Sequence, residues 1–160
     1  MRDENCDDLR RAVNSLEGLR FEVCVLDYQE FNKCKKSSNN NLKKCEIEQE
    51  SMPDLLAWRK RGWGSYCLII ELKTGISGRA RQLEKTWSNI KQKINNARSS
   101  LVTLGCNNFC GNIVVVPPEY MRFGESSCRM RRDEIYVVTD LDNLPLEAEK
   151  LISAKRGVNY

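Results

Sequence analysis

Two acidic residues and a lysine, well apart along the chain, are the side chains here best suited to chemistry. Pro53-Asp54 is followed, after sixteen residues, by Glu71-Leu72-Lys73. Strand residues two apart share a face, so Glu71 and Lys73 project together while Leu72 packs behind them. A turn at Arg61-Gly62-Trp63-Gly64 would fold the intervening segment into a hairpin and return Asp54 toward them. Two carboxylates converging at one end of a sheet make a hard, all-oxygen cation site, suited to Mg²⁺ or Mn²⁺. The backbone carbonyl of Leu72 is a candidate further ligand. A dication beside a lysine is what phosphodiester hydrolysis requires: the metal polarises the phosphate and lowers the pKa of a bound water. Lys73 would orient or help deprotonate that water, or stabilise the developing negative charge. The plainer alternative is a salt bridge at a strand end, with Pro53-Asp54 an ordinary turn.

Composition limits the other options. The 160 residues contain no histidine, which removes serine–histidine and cysteine–histidine nucleophiles and imidazole zinc sites. Eight cysteines are present, at 6, 24, 34, 45, 67, 106, 110 and 128. Only Cys106 and Cys110 are closely spaced, and no second pair completes a zinc site. Buried thiols, with Cys24 and Cys67 in strand patterns, plus one or two disulfides are therefore expected. Disulfides inside a cell would point to a hyperthermophilic archaeal setting or a virus replicating there. The longest apolar run, residues 66–70, is far too short to cross a bilayer, and the chain opens without a leader-like pattern. The expectation is an intracellular protein (cytoplasmic, or in the host cytoplasm if viral) with no membrane partner.

Charge is unevenly spread. The net charge is +4, yet residues 54–100 alone hold ten basic and three acidic side chains. A concentrated positive field implies a polyanionic partner, most simply nucleic acid. Arg59, Lys60 and Arg61 surround the hairpin tip with Trp63, while Arg81, Lys85 and Lys93 lie on the following helix; all seven positions are candidate nucleic-acid contacts. A solvated basic face without a partner is the alternative.

The elements that would position these groups follow from periodicity. Residues 5–19 read as an amphipathic helix with Gly18 near its end, and 21–28 as a strand. Residues 29–52 turn polar and read as a long loop, with Cys34 and Cys45 as ties. Residues 54–60 and 65–73 form the two strands of the hairpin. Ala80, Leu83, Trp87, Ile90, Ile94, Ala97, Leu101 and Leu104 alternate steps of three and four, which makes a helix of about 26 residues with one buried stripe. Strands at 112–116 and 134–139 and a closing helix at 146–155 complete an α/β sandwich around a mixed sheet, one domain spanning 1–160.

With PD at 53–54 and ELK at 71–73, at the end of an apolar strand ahead of a long helix, the chain resembles the PD-(D/E)xK nuclease superfamily. The resemblance covers most of the chain and implies a restriction-endonuclease-like core, a central mixed sheet flanked by helices. It implies that Asp54 and Glu71 bind the divalent metal and that Lys73 serves catalysis. Some branches add an acid on the first helix, for which Asp7 or Asp8 is in place, and a glutamine early in the following helix, near Gln82. The tyrosine found four residues later in one branch is Thr86 here. The small size is similar to archaeal Holliday-junction resolvases, without their early glutamate. The function expected is metal-dependent hydrolysis of phosphodiester bonds, in DNA and by internal cleavage, with a homodimer as an assembly option. A non-catalytic nucleic-acid-binding protein, a virion component among its options, would keep the basic face of 54–100 and do no chemistry. A small regulatory module that binds protein through the polar loop is the third class.

Overall fold

The computed structural model describes residues 4–35, 42–47, 50–61, 64–73, 80–103, 110–117, 129–132 and 135–158. In chain order the elements are α1 (Glu4–Glu17), β1 (Glu22–Val25), α2 (Tyr28–Cys34), β2 (Leu55–Arg61), β3 (Gly64–Leu72), α3 (Ala80–Thr103), β4 (Cys110–Val116), β5 (Arg129–Arg132), β6 (Ile135–Thr139) and α4 (Leu144–Val158), the last preceded by a 3-10 turn at Leu141–Asn143.

The strands form one six-stranded mixed sheet in the order β1-β2-β3-β4-β6-β5. Successive strands β1, β2 and β3 pair antiparallel, whereas β3–β4 and β4–β6 are parallel and β5 closes the far edge antiparallel to β6. A parallel β3–β4 pair needs a crossover, and α3 supplies it. Both sheet faces are covered, so the central strands are apolar on both sides rather than alternating. One face packs Val23, Leu55, Ala57, Ile70, Ile113 and Val115 against α1 and α4. The other packs Leu56, Ile69, Val114 and Val137 against the Trp87, Ile90, Ile94, Ala97 and Leu101 stripe of α3. Gly111 in β4 allows α4 to approach closely: a Cβ there would lie 2.6 Å from Leu151 Cδ2.

Several elements differ from the sequence-based expectations, each for a local reason. The strand at 21–28 stops at Val25 because Asp27 caps a helix, its Oδ1 accepting from the amides of Gln29 at 3.0 Å and Glu30 at 3.1 Å. The polar segment 29–52 therefore opens with α2 rather than with loop. The end of α1 is closed not by Gly18 but by Arg20, at φ 68°, with the Phe21 amide donating to Leu16 O and the Arg20 amide to Glu17 O. This is a Schellman closure with an arginine in the left-handed position. β5, at Arg129–Arg132, is a strand beyond those expected from the sequence.

Cysteine pairing also departs from expectation. Cys24 and Cys67 are not thiols: the structure joins Cys6–Cys34, Cys24–Cys45 and Cys67–Cys110. The first ties α1 to α2, and the third ties β3 to β4 at directly opposed positions. The second holds residues 42–47 along the outer edge of β1, where Val25 exchanges hydrogen bonds with Lys43 and Cys45. That segment covers a strand edge that would otherwise stay open. Cys106 and Cys128 lie outside the described residues. Among the described residues, no helix is long and apolar enough to cross a membrane.

Candidate metal centre

The hairpin register decides which side chains meet. Leu55 pairs with Ile70, so the ladder, continued by one step, sets Asp54 opposite Glu71. Asp54 alternates with Leu56 and Glu71 with Ile69, so both carboxyls project onto the face covered by α3. The backbone holds Asp54 firmly: its carbonyl accepts from the Leu26 amide at 2.8 Å. Its Oδ2 accepts from the Leu72 amide at 2.7 Å. Leu72 thus engages the acid pair through its N–H. Asp54 is 8% exposed and Glu71 only 2%.

Two buried carboxyls so close repel when both are ionised. Burial, followed by the charge of Glu71 and a carboxyl–carboxyl hydrogen bond, pushes the Asp54 pKa well above the carboxylate range. The Leu72 amide opposes that rise, and Asp27 adds to it. Asp54 therefore tends to retain a proton, and a nearby cation opposes that tendency.

Such a cation comes from α3. Lys93 Nζ lies 3.4 Å from Glu71 Oε2, with the lysine side chain 20% exposed. Glu71 Oε2 is buried and makes no well-formed hydrogen bond, so the ion pair is its compensation. Burial alone would lower the Lys93 pKa, but the charges of Glu71 and then Asp54 outweigh it and hold it raised. Lys93 also lines a cavity of about 560 Å³, together with Asp27, Tyr28 and Gln29 at the start of α2 and Glu50, Ser51 and Met52 ahead of β2. Asn96, one turn further along α3, donates to Ser51 O at 3.0 Å and closes the rim.

The sequence candidates divide accordingly. Asp54 and Glu71 come together. Lys73 follows β3, half-buried, its amide donating to Val115 O at 2.7 Å; among the described residues, the ammonium paired with Glu71 is that of Lys93. Asp7 and Asp8 lie on α1, which packs on the opposite face of the sheet, and form ion pairs with Arg10 and Arg11. The acid that approaches is Asp27, and the signal for it was the Asp-x-x-Glu cap pattern at 27–30. Lys93, one of the candidate nucleic-acid contacts on α3, faces Glu71; its place one residue before Ile94 of the buried stripe was the available hint.

Arg59, one of the candidate nucleic-acid contacts, is engaged within the fold. It is 11% exposed and makes a two-pronged ion pair with Glu149 of α4, at 2.7 and 2.8 Å. It also donates to Leu19 O at 2.9 Å and stacks on Phe21. Arg59 therefore fastens α4 to the sheet, and Glu149 raises its pKa against the effect of burial. Trp63 lies outside the described residues, as do the side chains of Lys60, Arg61, Arg81, Gln82 and Lys85.

The buried oxygen pair fits a divalent cation. Both donors are hard carboxylates, one buried oxygen has only an ion-pair partner, and the mutual repulsion calls for positive charge. A second cluster, Cys6, Cys34 and Glu30, brings ligand atoms within 4.8 Å of one another, but its sulfurs are joined in a disulfide. Comparisons with protein families, with curated proteins and with solved structures give no match to this chain.

Proposed function

We propose that this protein is a divalent-metal-dependent nuclease that hydrolyses phosphodiester bonds in DNA, with internal cleavage favoured. The observation that carries the reading is the meeting of Asp54 and Glu71, separated in sequence but adjacent and buried at the end of β3. Asp54 and Glu71 would hold Mg²⁺ or Mn²⁺. When bound, the metal would polarise the phosphate and make a coordinated water more acidic. Asp54 is fixed for this task by the Leu72 amide, and Glu71 by its strand position between β2 and β4. Lys73 is the nearby lysine in sequence and would orient water or balance charge. A restriction-endonuclease-like core is part of the proposal. The antiparallel run of β1, β2 and β3, with α3 crossing to a parallel β4, supports it. The cationic stretch of 54–100, without Arg59, would cradle the DNA backbone with weak sequence preference. Assembly as a homodimer belongs to the same proposal. An intracellular place in a hyperthermophilic archaeon, or a virus of one, would accommodate the three disulfides.

One observation favours a second reading. The Lys93–Glu71 ion pair already neutralises one acid, as it would in a nucleic-acid-binding protein that does no chemistry. Plasmid incubation with Mg²⁺, with and without EDTA, separates the two. Cleavage that requires metal and disappears in Asp54→Ala and Glu71→Ala supports the nuclease. A salt-sensitive band shift with intact plasmid supports the binder and refutes the nuclease.

A further inference from the structure

The acid pair leaves few positions for an incoming cation. Asp54 lies beside Glu71 in the hairpin ladder, and Val114 lies beside it on β4. Helix α3 covers the face onto which both acids project, and from it Lys93 presents its ammonium to Glu71 Oε2 at 3.4 Å. That oxygen is the buried one with no well-formed hydrogen bond. On its other side, Lys93 lines the cavity of about 560 Å³ between α2 and the approach to β2. Lys93 thus stands between the cavity and the carboxyls.

We propose that Lys93 occupies the cation position on Glu71 and that a divalent cation binds the acid pair by displacing its ammonium toward this cavity. The inference rests on the metal-site reading above and extends it: Lys93 becomes a positioning residue that sets the metal affinity. Two cations cannot share the buried Glu71 Oε2 at contact distance without strong repulsion. The lysine stem is long and flexible, and the cavity gives its end room to move. Asp27 and Glu50 on the cavity wall offer the displaced ammonium new acidic neighbours. Metal occupancy and Lys93 exposure should therefore rise together.

The test compares Mn²⁺ binding by the full chain, measured by titration calorimetry at one fixed pH, with that of Lys93→Met and Lys150→Met. Removal of a competing charge at this distance should lower the Mn²⁺ dissociation constant of Lys93→Met by about tenfold. Half-maximal plasmid cleavage should shift to lower Mn²⁺ by a similar factor, whereas Lys150→Met, on α4 at the opposite sheet face, should keep the parental Mn²⁺ affinity. General destabilisation would not tighten metal binding. A second measurement on the unaltered protein guards against a variant that fails to fold: the acetylation rate of Lys93, read by mass spectrometry, should rise several-fold on addition of Mn²⁺. Equal or weaker Mn²⁺ binding by folded Lys93→Met, or a Lys93 acetylation rate indifferent to Mn²⁺, overturns the displacement. If metal-dependent cleavage then persists, the nuclease reading survives it. Failure of the unaltered protein to bind Mn²⁺ overturns both.

Discussion

Removal of the Lys93 charge in the absence of metal should leave Glu71 buried without its counter-ion, and the cost can be worked from the geometry. The charges lie 3.4 Å apart, with Glu71 2% and Lys93 20% exposed. At an effective dielectric near 20, Coulomb's law gives about 5 kcal/mol for this separation. Water reaches the lysine end and screens part of that, so about 2–4 kcal/mol is expected for Lys93→Met in EDTA. For a chain of this size that is a fall in midpoint of roughly 5–12 °C. Glu71→Gln alone should cost less, because it strands Lys93 but relieves the repulsion with Asp54. The double variant should therefore be more stable than the two single losses predict, by a coupling of about 2 kcal/mol or more. The assay is urea unfolding of the four proteins near neutral pH in EDTA. A coupling below about 0.5 kcal/mol would show that the ion pair contributes nothing and refute the electrostatic account.

Three other outcomes follow from particular contacts. Asp54→Asn should be more stable than the parent near neutral pH: with its pKa raised on folding, Asp54 favours the fold when protonated, and this benefit is lost as pH rises through the raised value. The advantage should shrink on acidification and vanish below the ordinary carboxylate range, as read by thermal midpoints across pH; a variant less stable at neutral pH contradicts the repulsion argument. Arg59→Met should lose about 2–4 kcal/mol with its Glu149, Leu19 and Phe21 contacts, yet leave the salt dependence of DNA binding unchanged. A shallower salt slope would return Arg59 to the DNA-contacting set. Cys67→Ala with Cys110→Ala opens a link across 43 residues, worth about 4 kcal/mol by loop entropy; calorimetric unfolding with no loss would show that β3 and β4 hold register without it.

The candidate centre could be approached from the sequence because its main steps are local. The period of two in β3 sets the shared face of Glu71 and Ile69, and the hairpin arithmetic brings Asp54 opposite Glu71. The unbroken stripe from Trp87 to Leu101 similarly announces α3 and the face it buries. Local signals also misled where two were in competition. The apolar run after Phe21 suggested a longer strand than the Asp27 cap permits, and Gly18 drew attention from the left-handed Arg20.

What the amino-acid order determined by itself was thus the period of each element, the cationic segment and the absence of imidazole chemistry. Only the tertiary structure decided which lysine faces Glu71, that Arg59 is committed to Glu149, and which cysteines are partners. Strand and helix periods are carried by neighbours a few residues apart, so they can be read along the chain. A contact between β3 and α3, or between β2 and α4, depends on how two surfaces dock, and that is settled by packing both faces of the sheet together.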